Sequence, residues 1–189
     1  MAFEIELKTR LESDEPIKTR LHELGNYCHS HEKLDSYWYP AKSDLLSHSG
    51  IRLRRESIVN ADNTARESIL VTFKNKKISE GMEINDEREF SVSNAIVFEE
   101  MMEYLGLHKI IIKQKSGWAW TIPPILAELS LVAGLGWFLE LEIIADNNDA
   151  QTVDICRKQL LSLLANLEIP ADRIEPRPYT VLLSAPKNS

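Results

Sequence analysis

The stretch Glu4-Ile5-Glu6-Leu7-Lys8 combines residue types that can hold a metal ion and a phosphate group together. In a β-strand, this alternation places Glu4, Glu6 and Lys8 on one face. Carboxylate oxygens are the ligands that hard cations such as Mg²⁺ prefer, and an ammonium group offers a point charge for phosphate. An exposed strand with one wet face would show the same pattern, so these five residues alone leave both interpretations open.

Further stretches of the chain repeat this alternation of charged and apolar residues. Their charged members are Arg52, Arg54, Lys74, Glu87, Glu89, Lys113, Lys115, Glu140 and Glu142. A closed barrel with these faces inside would explain the pattern, because helices could then cover the apolar faces. Interior charge is costly unless it is paired or binds ions, so the pattern favours a functional tunnel over a purely structural barrel.

The elements that would position these residues can be located by their periodicity. Strands are predicted at residues 2–10, 27–40, 51–55, 69–74, 83–89, 107–115, 118–131 and 138–143, with Pro123-Pro124 interrupting the seventh strand. A polar hairpin loop is predicted at 58–67, and helices are predicted from Ser13, at 94–105 and at 150–167. The predicted fold is α+β, a closed eight-stranded antiparallel barrel with helices packed outside it, in a single domain over residues 1–189.

Composition limits the class of protein. The chain has 189 residues, 43% hydrophobic and 27% charged, with a net charge of −7. This acidic balance argues against a general nucleic-acid binder, and no apolar run is long enough to span a bilayer. The N-terminus shows no secretory signal, and Cys28 and Cys156 lack metal-ligand spacing. We therefore expect a cytoplasmic protein that binds neither nucleic acid nor membrane.

The charged motifs, in their order and spacing, resemble the CYTH superfamily, also called triphosphate tunnel metalloenzymes. The hallmark of that family is Glu-x-Glu-x-Lys near the N-terminus, which Glu4, Glu6 and Lys8 match. The other matching stretches are 35–40 (DSYWYP), 51–54 (IRLR), 72–74 (TFK), 87–90 (EREF), 113–115 (KQK), 134–142 (GLGWFLELE) and 177–183 (RPYTVLL). The family includes class IV adenylyl cyclases, thiamine triphosphatases and inorganic triphosphatases.

The resemblance implies a role for each matching residue. The bases expected to bind a triphosphate such as ATP are Lys8, Arg52, Arg54, Lys74, Lys113 and Lys115. The acids expected to coordinate Mg²⁺ or Mn²⁺ are Glu4, Glu6, Glu89, Glu140 and Glu142. The resemblance also implies that Glu4, Glu6, Lys8 and Lys74 take part in catalysis. The sequence leaves open whether the chain forms a homodimer.

Three positions depart from the family pattern. Lys115 replaces an arginine of the cyclases, Ser130 stands where an aspartate is expected, with Glu128 as a nearby substitute, and Ser91 follows Glu89 in place of a second acid. The resemblance favours a class IV adenylyl cyclase, which converts ATP to cyclic AMP and pyrophosphate. Two alternatives remain: a triphosphatase acting on inorganic or thiamine triphosphate, and a non-catalytic binder of nucleotides or polyphosphate.

Overall fold

The structure is a computed structural model that describes residues 3–40, 50–79 and 82–185, with side chains described except at 74–79 and 85–87. Lys74 and Glu87, both named by the sequence patterns, therefore lie outside the described side chains.

Eight strands and four α-helices make up the described chain. The strands are β1 (Phe3–Leu11), β2 (Asn26–Pro40), β3 (Ile51–Asn60), β4 (Ala65–Ser79), β5 (Met82–Ser91), β6 (Leu107–Ile122), β7 (Ile125–Val132) and β8 (Gly136–Ala145). The helices are α1 (Glu15–Leu24), α2 (Ala95–Tyr104), α3 (Ala150–Asn166) and α4 (Tyr179–Ser184), and a 3-10 turn covers Ala171–Arg173. In the part of the chain that is described, no helix combines the length and the apolar character needed to cross a lipid bilayer.

The strands form one antiparallel sheet that curls into a barrel. Hydrogen bonding links them in the order β1-β5-β4-β3-β2-β6-β7-β8, and β8 pairs again with β1. Among the described residues, β1 pairs with β8 over nine positions but with β5 over only four, Phe3↔Asp86 to Glu6↔Glu83. The predicted α+β class, with a barrel-like antiparallel sheet and helices outside, is confirmed. The sequence patterns predicted a closed eight-stranded barrel; because the seam between β1 and β5 is this short, the sheet is described as barrel-like.

The largest apolar core lies between the outer face of the sheet and helices α1 and α3. Alternation along β1 and β8 turns Leu7 and Leu141 outward, where they pack against apolar residues of α3 such as Leu160. Helix α3 begins at an Asp149 cap, whose carboxylate accepts a hydrogen bond from the Thr152 amide at 2.8 Å. The face of the sheet opposite to this core must therefore point into the barrel.

Two smaller apolar clusters hold the remaining helices. Helix α2 starts at Asn94, which accepts hydrogen bonds from the amides of Ile96 and Val97, and it packs against Trp38 and its neighbours. Helix α4 packs through Tyr179 and Leu182 against residues Val132 and Phe138. The sequence patterns did not predict α4, since its six residues are too few to show a helical period.

The strand boundaries differ from the predicted ones at two turns. The polar segment 58–67 is not a ten-residue loop, because β3 continues to Asn60 and β4 begins at Ala65. The stretch predicted as one interrupted strand over 118–131 is divided between β6 and β7, with Pro123-Pro124 forming the turn. Polar residues on an exposed, hydrogen-bonded hairpin look like a loop in sequence, because residues 59–67 are exposed and show no alternation of buried and exposed positions.

The fold predicts an unequal response to two leucine truncations on neighbouring strands. Leu141 is 0% exposed and Leu131 is 42% exposed. Leu141→Ala should lower the free energy of unfolding by about 2–5 kcal/mol, because it leaves a cavity between β8 and α3. Leu131→Ala, as the matched control, should cost less than about 1 kcal/mol. Chemical denaturation of both variants measures the difference, and equal costs would contradict the assignment of the core.

Candidate active site

The barrel encloses a cavity of about 480 Å³ whose wall is dominated by charge. Among the described side chains, eight carboxylates and seven cationic groups line it. The acids are Glu4, Glu6, Glu56, Glu83, Glu89, Glu128, Glu140 and Glu142, and the bases are Lys8, Lys33, Arg52, Arg54, Arg66, Lys113 and Lys115. Such a wall suits a ligand that itself carries several charges of both signs, such as a polyanion together with a cation.

The carboxylates are concentrated where β1 meets its two neighbouring strands. Glu6 lies opposite Glu83 of β5 on one side and opposite Glu142 of β8 on the other. Directly opposed side chains on neighbouring strands have Cβ atoms about 4.5–5.5 Å apart, so these three like charges repel one another, and a cation between them would relieve the repulsion. Oxygen donors at this spacing fit a hard divalent cation of the Mg²⁺ or Mn²⁺ type.

Glu4 and Lys8 extend this acidic group along β1. Both line the same cavity, as their spacing in the sequence predicts. Lys8 is only 3% exposed, and its Nζ lies 3.7 Å from Glu83 and 4.8 Å from the centre of the Tyr179 ring. The Lys8 ammonium is thus held at the border between the carboxylates and the basic wall.

Asp35 orients two of the basic side chains on the cavity wall. Its two oxygens accept hydrogen bonds from Nε and Nη2 of Arg54 at 2.7 and 2.9 Å, and Lys113 Nζ lies 3.1 Å away. Burial alone would raise the pKa of this fully buried carboxyl, but Arg54 and Lys113 outweigh burial and hold the pKa well below its usual value. Asp35 is therefore charged at neutral pH, and it fixes the orientation of both basic side chains.

Arg52 belongs to a second group on the adjoining strands. Its Nη2 donates to Thr72 Oγ1 at 2.9 Å and lies 3.4 Å from Glu89, and the Thr72 hydroxyl also donates to Glu89 at 2.8 Å. Glu89 therefore faces the cavity beside Arg52. These contacts place Glu89 where it can orient Arg52, and its expected role as a metal ligand stays a prediction.

Lys115 connects the basic wall to the acidic wall. Its Nζ contacts Glu128 at 2.8 Å and also contacts Glu140. Burial opposes the charge on Lys115, but the two carboxylates outweigh it and raise the lysine pKa. Burial likewise opposes the charge on Glu140, yet Lys115 and Lys113 lower the Glu140 pKa to about 2.

Lys33 shares the Glu128 carboxylate with Lys115. Its Nζ lies 2.5 Å from the other oxygen of Glu128. Here burial prevails over Glu128 and lowers the lysine pKa to about 8. Glu128 thus holds two cationic groups at once, one on each oxygen.

The C-terminal segment contributes the remaining part of the wall. Ile174 bridges to Thr9, and the Glu175 amide donates to the carbonyl of Lys8 at 2.8 Å, so the chain is attached to β1 just before α4. Tyr179 then lies over the ammonium groups of both Lys8 and Lys113. Burial, followed by the charges of nearby glutamates, raises the Tyr179 pKa well above its ordinary value, so its hydroxyl stays protonated.

The structure brings together most of the residues that the sequence predicted for the site. All of them whose side chains are described line one cavity: Glu4, Glu6, Lys8, Arg52, Arg54, Glu89, Lys113, Lys115, Glu140 and Glu142. The position of the Lys74 side chain is outside the described residues, so its role stays a prediction. Of the three departures, Lys115 lines the cavity, Ser130 is hydrogen-bonded to His31, and Ser91 is not among the lining residues. Glu128, the nearby substitute for the acid expected at Ser130, also faces the cavity.

Several residues of the site were not nominated from the sequence. They are Lys33, Asp35, Glu56, Arg66, Glu83, Tyr179 and Thr180. All of them except Asp35 line the cavity. For Lys33 and Asp35 a signal was present, because they alternate with Tyr37 in the same phase as the other tunnel residues. For Tyr179 no periodic signal existed, since it faces the cavity from a one-and-a-half-turn helix.

Comparison with known families and structures agrees with this geometry. The model of the CYTH domain matches residues 2–179. A sequence search among curated proteins finds no match. A solved structure of a protein from Pyrococcus horikoshii OT3 is 21% identical with a TM-score of 0.82, over 95% of this chain and 97% of that one.

Two further solved structures share the fold. A "putative adenylate cyclase" from Vibrio parahaemolyticus is 19% identical, with a TM-score of 0.77 over 97% of this chain and 98% of that chain. A "putative adenylyl cyclase" from Hippeastrum, described as having a dominant triphosphatase activity, is 16% identical, with a TM-score of 0.59 over 90% of this chain and 89% of that chain.

The burial of Asp35 between two bases predicts a large effect of removing its charge. Asp35→Asn should lower the free energy of unfolding by about 3–5 kcal/mol at neutral pH, because it leaves Arg54 and Lys113 without their counter-charge. Asp172→Asn, at an exposed position, is the control.

The same substitution has a defined pH dependence. The folded-state pKa of Asp35 lies below its unfolded value, so its contribution is present above about pH 4 and is lost as pH falls through the folded pKa. The difference between wild type and Asp35→Asn should therefore shrink as pH falls below about 4. Denaturation at a series of pH values tests this, and a difference that grows at low pH would contradict it.

Proposed function

This chain belongs to the CYTH domain family, and from that membership and the charged cavity we propose that it is a metal-dependent enzyme acting on a triphosphate. The observation that carries the proposal is the division of one cavity into an acidic group around Glu6 and a basic group around Asp35. A triphosphate chain with its cation presents the complementary distribution of charge. The cavity is therefore best suited to recognise the triphosphate chain of the substrate.

The basic group supplies the grip on phosphate oxygens. Arg52, Arg54 and Lys113 are already oriented by acids or hydroxyls, so little side-chain entropy remains to be lost when an anion binds. Arginine offers a planar fork for phosphate oxygens, whereas lysine offers a compact charge. We assign this role to Lys8, Lys74 and Lys115 as well.

The acidic group would hold Mg²⁺ or Mn²⁺. We assign the ligands to Glu4, Glu6, Glu140 and Glu142, with Glu89 as an outer member. A bound divalent cation supplies neutralisation of phosphate charge and polarisation of the phosphorus–oxygen bonds. The protein's own contribution is to hold the triphosphate in line with the attacking oxygen and to exclude water from the wall of buried charges.

For the reaction itself we propose a cyclase of the class IV type. The ribose 3′-oxygen of ATP would form a bond to the α-phosphorus, the bond from that phosphorus to the bridging oxygen would break, and pyrophosphate would leave. A carboxylate such as Glu4 or Glu6 would orient the hydroxyl and accept its proton. Three aliphatic side chains of the cavity wall, Leu70, Leu126 and Ile144, offer an apolar surface for the adenine.

A triphosphatase is the second candidate, and the position of Lys115 favours it. Lys115 is held by two carboxylates and is nearly fully buried, so it is poorly placed to follow a departing pyrophosphate. In this reaction water would attack the terminal phosphorus, and inorganic phosphate would be released. The Hippeastrum relative, described by its dominant triphosphatase activity, supports keeping this candidate. A binder without catalysis gains nothing from the carboxylates around Glu6.

The compartment is proposed on separate grounds. Among the described residues, Cys28 and Cys156 are both free thiols. Unpaired cysteines are typical of a reducing environment, so we propose that the enzyme acts in the cytoplasm, where ATP is available.

Removal of one acidic side chain should separate turnover from folding. Glu142→Gln is expected to reduce metal-dependent turnover by at least about 100-fold, or about 2.7 kcal/mol, because it removes a ligand from the proposed cation site. Stability should be unchanged or higher, since Glu142 lies opposite Glu6. Glu23→Gln, on the exposed face of α1, is the matched control. Full turnover in Glu142→Gln would place the metal elsewhere.

The reaction type can be decided by product analysis of wild type and Lys115→Arg. With ATP and saturating Mn²⁺, a cyclase yields cyclic AMP and pyrophosphate, whereas a triphosphatase yields ADP and phosphate. In a cyclase, an arginine fork should hold pyrophosphate better and raise the ratio of cyclic AMP to phosphate by about tenfold. Phosphate without cyclic AMP in both proteins would reject the cyclase. ATP bound but unchanged, with inorganic and thiamine triphosphate also left intact, would favour a binder. Thermal unfolding checks that the larger side chain is accommodated.

A further inference from the structure

Two histidines, to which the proposed triphosphate reaction assigns no role, converge with a glutamate of the cavity wall. His29 and His31 lie on β2, and Glu128 lies on β7. One donor atom from each residue lies within 4.8 Å of the others. His31 is 3% exposed, so this is an interior cluster rather than a group of surface side chains.

The strand register explains how residues from non-adjacent strands meet. β6 lies between β2 and β7, and Ala119 of β6 lies opposite both His29 and Glu128. Gly117 is the next position of β6 that faces the interior of the barrel, and it lies opposite both His31 and Ser130. These two small residues leave the space above β6 open to the longer side chains on either side. Gly117 cannot carry a larger one, because its Cβ would lie 2.0 Å from the Leu129 carbonyl oxygen.

Both imidazole rings have a buried nitrogen without a hydrogen-bond partner. These atoms are Nε2 of His29 and Nδ1 of His31. A buried polar atom left unpaired costs free energy, so two of them in one cluster call for a ligand. The other nitrogen of His31, Nε2, lies 3.0 Å from Ser130 Oγ. If Nε2–H donates to that hydroxyl, Nδ1 keeps its lone pair, which is how metal-binding histidines are commonly oriented.

We propose that His29, His31 and Glu128 form a second metal site, for a divalent transition-metal ion of the Zn²⁺ or Co²⁺ type. Two neutral imidazoles and one carboxylate are the donor set that such ions bind, with a further position open to water or substrate. Mg²⁺ prefers oxygen donors only, so this site and the acidic group around Glu6 select different metals. Burial lowers the pKa of both histidines, which agrees with the neutral rings that a metal needs.

The cationic neighbours of Glu128 are compatible with this role. Lys33 and Lys115 contact different oxygens of the carboxylate, and each carboxylate oxygen can accept more than one bond. A metal ion would compete with Lys33 and Lys115 for the negative charge of Glu128. Their ammonium groups would then interact more strongly with an anion in the cavity, so the second metal would strengthen the binding of a triphosphate.

Zinc binding in a large excess of Mg²⁺ tests the site, because Mg²⁺ would compete with Zn²⁺ for the carboxylate group but not for the histidines. Equilibrium dialysis without nucleotide should show one Zn²⁺ per wild-type chain. His29→Ala and His31→Ala should each weaken that binding by at least about tenfold. Ser130→Ala should weaken it by about 10–100-fold through loss of the bond that orients His31. His108→Ala, at an exposed position, is the control and should bind like wild type.

Two further measurements keep the outcome clear. Zn²⁺ should raise the melting temperature of wild type and His108→Ala but not that of His29→Ala. A cooperative melting transition of His29→Ala without Zn²⁺ shows that this variant is folded. Glu142→Gln should retain Zn²⁺ even where it has lost turnover, so failure of this proposal and failure of the proposed enzyme function are distinguishable. Wild type that binds no Zn²⁺, or histidine variants that bind it as tightly as wild type, would overturn the proposal.

Discussion

The structure depends on balanced charge inside a β-barrel. Eight carboxylates and seven bases among the described side chains share one cavity, and a buried charge without a partner would cost more than most single mutations cost. Every charged residue must therefore keep its phase along its strand, since a slip of one residue would exchange the charged face for the apolar one. The apolar residues opposite to the charges then have to face outward, which explains why α1 and α3 lie on the outside of β1 and β8.

The sequence predicts the phase of the strands better than it predicts the partners within the cavity. Alternation alone places Glu4, Glu6, Lys8, Glu140 and Glu142 on the inner face, because a strand has a period of two. It does not reveal that Lys115 meets Glu128 and Glu140, because that contact depends on the register of three strands. The length of the β3–β4 hairpin and the existence of α4 were also missed, since neither leaves a periodic apolar pattern.

The departures from the family pattern acquire physical explanations in the structure. Ser130 is buried and pairs with His31, so a hydroxyl replaces a carboxylate at a position that already has a histidine to satisfy. Glu128 lies two residues before Ser130 on the same face of β7, and its negative charge holds Lys33 and Lys115. Lys115 is held by Glu128 together with Glu140, and the role of Glu128 as the substitute for the expected acid stays a prediction.

The proposed function requires one cavity to hold a triphosphate on its basic side and a divalent cation on its acidic side. A crystal structure of the protein with Mn²⁺ and a non-reacting triphosphate analogue tests it most directly, because Mn²⁺ can be located by its anomalous scattering. The account predicts a Mn²⁺ peak within coordination distance of the carboxylates of Glu6 and Glu142, and phosphate oxygens in contact with Arg52, Arg54 and Lys113. A triphosphate bound outside the barrel, or Mn²⁺ absent from these carboxylates while the analogue is bound, would contradict it.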